Sequence, residues 1–221
     1  MNREIREAIR YLGYGRHAID EQTLALVECS MEELKAKVRE RFIYRIFELS
    51  QKDGVLQIGD WTIESKGLSR NLKGCGRVAA FAATLGTEAD QMIRRASVME
   101  MAKAVVLQSC AAALLEEYCD DCQEEIAKEL SCEGWYLRPR FSPGYGDFDI
   151  RHQEKLLALL QADKKIGLTM TKSCMLTPTK SVTALIGISR EQIPCHRQGC
   201  EVCEKADCLY RRAEKSGTDK E

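Results

Sequence analysis

Over residues 87–130 alanine, leucine, methionine, glutamate and lysine dominate, and Glu88, Ala89, Ile93 and Ala96, then Ala104, Leu107, Ala111, Leu114 and Leu115, recur at helical spacing. The segment reads as two successive helices. Directly before it, Arg77-Val78-Ala79-Ala80-Phe81-Ala82-Ala83-Thr84 is a compact apolar run that ends in Leu85-Gly86 and reads as a buried strand with its functional end at Thr84-Leu85-Gly86. Any fold for this chain has to bury that strand beside helices of this length.

The remaining segments supply partners. Phe42, Tyr44 and Ile46 mark a strand over 41–49, Asp53-Gly54 marks a turn, and 55–58 and 61–63 read as short companion strands. A small helix is expected near 65–72, another over about 152–162, and a β-like run over 181–188. Asp20 can cap a helix over 21–29, and Ser30-Met31-Glu32-Glu33 has the capping-box form, so a helix pair or one kinked helix covers 20–38. The opening segment 4–12 fits a helix or a strand equally. Gly74-Cys75-Gly76 reads as a turn, not a phosphate cradle.

At 221 residues the chain has room for one large or two small domains. With 33 Lys+Arg against 34 Asp+Glu, no net field favours nucleic acid or anionic lipid, so neither is expected as a partner. No apolar run approaches the ~20 residues of a spanning helix, and Met1-Asn2-Arg3-Glu4 is unlike a signal peptide; a cytoplasmic protein is expected. The 11 cysteines are too scattered for a secreted disulfide framework. Reduced thiols are expected, some of them ligands.

Residues 138–147, Arg-Pro-Arg-Phe-Ser-Pro-Gly-Tyr-Gly-Asp, place guanidinium groups, two prolines, a flexible glycine and a phenol in one short stretch. On composition alone this is first a Pro-Gly turn with a surface arginine. The same residues can grip a ligand: Arg140 suits a carboxylate, the backbone at Ser142 a planar base edge, and Tyr145 adds a ring and a hydroxyl.

Arg140-x-x-x-Gly144-Tyr145, with Pro143 before the glycine, resembles the S-adenosylmethionine-binding signature of the activation domain of cobalamin-dependent methionine synthase. Arg10-Tyr11-Leu12-Gly13-Tyr14, Leu72-Lys73-Gly74-Cys75 leading into Phe81-Ala82-Ala83-Thr84-Leu85-Gly86, the Ala-rich helices and the 181–187 strand resemble that family in order and spacing, over about residues 5–190. The resemblance implies an α+β fold: a single domain, 1–190, with a twisted antiparallel sheet flanked by helices, followed by a Cys-rich tail, 191–221.

It also implies a role. A stand-alone reactivation protein would bind S-adenosylmethionine and support reductive methylation of cob(II)alamin, the cobalamin being held by a methionine synthase that lacks its own activation domain. A low-potential electron donor is then a further partner. Arg140 would take the methionyl carboxylate, the Ser142 backbone the adenine, and Gly144 and Tyr145 would complete the pocket. The family places carboxylates near the ligand's cationic groups, for which Glu116, Glu117 and Glu133 are the candidates, although a solvated helix face is the first reading of each. After the tyrosine the family continues Pro-Ala-Cys-Pro, whereas this chain reads Gly146-Asp147-Phe148-Asp149, which bears on how the loop's exit packs and on corrin contacts from it.

The tail stands outside the resemblance. Cys195-x4-Cys200-x2-Cys203-x4-Cys208 supplies the four thiols that an iron–sulfur cluster, of the 4Fe-4S type, or zinc takes from protein; the cluster is favoured over zinc and over no metal. His196 could replace one ligand, although a surface histidine is the first reading. Cys119 and Cys122 share a helix face and are expected as ordinary exposed or half-buried thiols. Two other functions remain open: an iron–sulfur or zinc redox or interaction protein on the same fold, and a reactivator of another corrinoid methyltransferase.

Overall fold

The computed structural model describes residues 1–14, 18–192 and 208. Its elements in chain order are α1 (Arg3–Ile9), α2 (Glu21–Lys37), β1 (Arg41–Glu48), β2 (Ser50–Lys52), β3 (Val55–Ile58), β4 (Trp61–Glu64), α3 (Lys66–Asn71), β5 (Arg77–Thr84), α4 (Thr87–Met99) and α5 (Met101–Ser131). There follow β6 (Tyr136–Leu137), α6 (His152–Leu160), α7 (Ala162–Ile166), β7 (Thr169–Met170), β8 (Leu176–Thr177) and β9 (Ser181–Ser189). By contact the described residues fall into two compact units, one built from Met1–Lys37 and Gln91–Leu114, the other from Val38–Asp90 and the described residues from Leu115 on.

The described part of the first unit is helical. The Asn2 side chain accepts the Ile5 N–H at 2.9 Å, a cap worth about 1 kcal/mol, and settles the opening segment as helix. Asp20 caps α2 as expected, accepting the Thr23 N–H at 2.8 Å. The capping-box motif at Ser30 starts nothing, because α2 runs straight through it. Val27, Met31 and Leu34 form one buried stripe with Ser30 between them, and burial of that stripe overrides the local cap preference.

The second unit is built on a four-stranded sheet in the order β1-β5-β9-β6, antiparallel throughout, with a three-stranded sheet β2-β3-β4 and a two-stranded β7-β8. This is the α+β architecture with antiparallel sheets and flanking helices that the resemblance implied. The apolar run is the central strand: β5 pairs with β1 from Arg41↔Thr84 to Glu48↔Arg77 and with β9 from Thr84↔Ser181 to Arg77↔Ile188. Both faces of β5 are covered. Val78, Ala80 and Ala82 pack into a core with Leu68, Leu72, Phe148, Leu156 and Leu160, while on the opposite face Phe81 lies 6.3 Å from the Phe42 ring, itself edge-on to Tyr118 of α5.

The helix expected over 152–162 breaks after Leu160, where Gln161 adopts a left-handed backbone (φ 53°) and α7 begins. The buried amide of Gln153 ties α6 inward, accepting the Thr183 hydroxyl at 3.2 Å and donating to the Cys174 carbonyl at 3.0 Å. Among the described residues no helix is long and apolar enough to cross a membrane.

Candidate functional site

The loop between β6 and α6 is an extension of the main sheet before it becomes a turn. The Arg138 N–H donates to the Gly187 carbonyl at 2.8 Å, and Phe141 and Leu185 exchange backbone hydrogen bonds of 2.9 Å in both directions. The next four residues form a tight turn in which the Tyr145 N–H donates to the Ser142 carbonyl at 3.1 Å. Pro143 fixes the first corner, and Gly144, at φ 92°, takes the left-handed second corner that a side chain would resist. The turn presents Tyr145 to solvent, 59% exposed and edge-on to Phe141 at 6.2 Å.

The unfamiliar exit is what anchors the loop. Asp147 accepts the Ser65 hydroxyl at 2.7 Å and the backbone N–H groups of Lys66 and Gly67 at 2.6 and 3.0 Å, and these donors hold its carboxyl well down, to about 2. Gly67 lets the loop sit close: a Cβ there would stand 3.0 Å from Asp147 Oδ1 and 3.2 Å from Phe141 Cζ, tighter than ordinary contact. Phe148 is buried and stacks on His152 at 5.3 Å, and His152 Nδ1 accepts the Trp61 indole N–H at 3.0 Å.

Arg140 turns back along α5. Its Nη1 donates to the Cys119 carbonyl at 2.9 Å and to Gln123 Oε1 at 3.1 Å, and its Nη2 donates to Asp120 Oδ1 at 2.8 Å and Glu116 Oε2 at 3.4 Å. Burial alone would pull this guanidinium down, but the Asp120 hydrogen bond and the surrounding negative charge more than offset it, so its pKa is raised and it stays charged. The loop thus carries Ser142, Gly144 and Tyr145 on one turn and Arg140 just before it, with Glu116 beside the arginine. Arg140's polar partners are the four groups on α5, of which Glu116 alone is a carboxylate candidate from the sequence. Asp120, Gln123 and Asp147 are the site residues that sequence reasoning missed; the spacing 116, 120, 123 along one helix face is the signal that could have found the first two.

The Thr84-Leu85-Gly86 end of β5 is tied into the fold: Thr84 is fully buried, its hydroxyl accepting from Ser181 at 2.8 Å, and the Leu85 carbonyl accepts the Arg39 N–H at 3.0 Å. Cys119 and Cys122 are buried, not exposed, and desolvation pushes their thiols up to about 12 and about 11. Among the described residues no group of three or more His, Cys, Asp or Glu side chains could hold a metal ion. Cys195, Cys200 and Cys203, with His196, lie outside the described residues; Cys208 is described and half-buried.

Residues 70–193 match the family model described as vitamin B12 dependent methionine synthase, activation domain, more than half of the chain and all of the loop. The chain belongs to this activation-domain family. The fold of the activation domain agrees with a solved structure, the crystal structure of the MetH reactivation domain bound to AdoHcy, at a TM-score of 0.61 and 14% identity, over 87% of this chain and 77% of that one. No curated protein sequence matches the chain. Within this activation domain the Arg140–Tyr145 turn lies inside the matched stretch, while the cysteine tail lies beyond it.

Proposed function

We propose that this activation-domain protein binds S-adenosylmethionine on the 140–145 turn and acts in trans on a cobalamin-dependent methionine synthase. Cobalamin held by the partner and reduced by one electron from a low-potential donor would accept the S-methyl group, with S-adenosylhomocysteine as the leaving product. This chain supplies no nucleophile; it holds the methyl donor in place, and orientation of that kind can remove a large part of a bimolecular barrier.

The observation that carries this reading is the family match over 70–193 with Arg140-x-x-x-Gly144-Tyr145 inside it. Arg140 takes the methionyl carboxylate. The Ser142 backbone reads the adenine edge, its carbonyl keeping one lone pair after accepting the Tyr145 N–H. Tyr145 is the exposed ring of the pocket. Cys195, Cys200, Cys203 and Cys208 are assigned to an iron–sulfur cluster relaying the electron, on their spacing alone.

The test adds the purified chain to a synthase that lacks its own activation domain and has been inactivated in the cob(II) state, with reductant and S-adenosylmethionine. Restored turnover that needs all three additions supports the reading. Failure with this synthase but success with another corrinoid methyltransferase would reassign the partner.

A further inference from the structure

A guanidinium has five N–H groups, and Arg140 spends four of them on α5. Gripping a ligand carboxylate through two parallel N–H bonds needs a pair on one edge of the plane. In this arrangement Nε–H is the fifth group, so any such pair has to draw on a nitrogen already engaged. The four contacts are unequal. Three lie between 2.8 and 3.1 Å, whereas Glu116 stands at 3.4 Å with its side chain 53% exposed, against 26% for Asp120. Glu116 is therefore the partner that leaves at least cost.

We propose that Glu116 occupies the place of the ligand's carboxylate, and that Asp120 and Gln123 are positioning residues that keep Arg140 aimed when Glu116 gives way. The inference rests on the S-adenosylmethionine reading and specifies it. On binding, the ligand carboxylate takes the Nη2–H released by Glu116 together with Nε–H, Glu116 turns to water, and the bonds to Asp120, Gln123 and the Cys119 carbonyl stay. A net exchange of one carboxylate for another leaves the charge around Arg140 unchanged. Ligands without a carboxylate do not displace Glu116, so the exchange tempers the affinity only of ligands that carry the amino-acid end, for which Arg140 itself provides the selectivity.

Calorimetric titration tests this with two probes, S-adenosylmethionine and 5′-methylthioadenosine, which lacks the aminocarboxypropyl group. Glu116→Gln should tighten S-adenosylmethionine by about two- to fivefold, the worth of releasing one half-exposed ion pair, and leave methylthioadenosine unchanged. Asp120→Asn should weaken S-adenosylmethionine and leave methylthioadenosine unchanged, which also reports that the variant has kept its folded turn. An unchanged S-adenosylmethionine affinity in Glu116→Gln overturns the exchange, and a weakened one makes Glu116 a direct contact of the ligand. No binding of S-adenosylmethionine by the unaltered protein overturns the binding reading itself, and the exchange with it.

Discussion

Asp147 accepts the Ser65 hydroxyl at 2.7 Å across 82 residues of sequence, and the same carboxylate takes the first two free amides of α3. Where the family's pattern has Pro-Ala-Cys-Pro, this chain has a carboxylate that pins the loop's exit to a helix start. The turn that carries Tyr145 is held from both sides, by Arg140 on α5 and by Asp147 on α3.

The closeness of that dock makes Gly67 a sensitive position. Alanine for glycine within a helix ordinarily stabilises by about 0.5–1 kcal/mol. Here the added methyl would meet Asp147 and Phe141, so Gly67→Ala is expected to reverse that sign. Urea denaturation of Gly67→Ala, and of the same change in an Asp147→Ala background where one of the two obstacles is gone, should show a loss in the first and a smaller loss in the second.

His152 gives the fold a pH dependence. Its Nδ1 accepts the Trp61 N–H, so that nitrogen carries no proton, and burial holds the imidazole pKa below its ordinary value. Asp149 opposes this shift and Arg151 adds to it. A lowered folded-state pKa means that the contribution to stability is fully present above the unfolded value, near 6.5, and is lost as the pH falls from there through the folded value. Urea midpoints measured from pH 7.5 to 5 should fall in the unaltered protein and flatten in His152→Leu. The other histidines, His17 and His196, lie outside the described residues.

The interior thiols should be chemically silent. Desolvation pushes Cys110 and Cys119 up to about 12 and Cys122 up to about 11, so almost no thiolate exists at neutral pH. Brief alkylation at pH 7.5 followed by peptide mass mapping is expected to label the exposed Cys29 and Cys132 and to spare these three. Labelling of Cys119 or Cys122 at comparable rates would show that the α5 face opens in solution.

Much of the fold was legible because local preference and global packing agree. The alanine- and leucine-rich run gave α4 and α5, and the apolar octet gave β5, as propensity and burial point the same way at those positions. The errors lie where tertiary packing overrules local signals: Ser30, a cap by sequence, is interior to α2, and Gln161 breaks a helix with no glycine to announce it. At the site, the turn 142–145 was readable from Pro143-Gly144. Its supports were not, since Asp120 and Gln123 look like a solvated helix face until an arginine 17 to 20 residues away folds back on them.

The cysteine tail carries its own expectation. Protein purified anaerobically should contain iron and sulfide in equal amounts, as a four-iron cluster requires, and Cys200→Ser with Cys203→Ser should remove both and abolish reactivation without touching S-adenosylmethionine binding. Stoichiometric zinc without iron would make the tail a structural clip.

The most direct measurement is titration of the unaltered protein and of Arg140→Ala with S-adenosylmethionine, with thermal denaturation of both to show that each is folded. One ligand per chain, bound more weakly by about 1.5–3 kcal/mol in the variant as befits a lost hydrogen-bonded charge contact, is the expected result. The same affinity in a folded Arg140→Ala protein, or no binding to the unaltered chain, would contradict it.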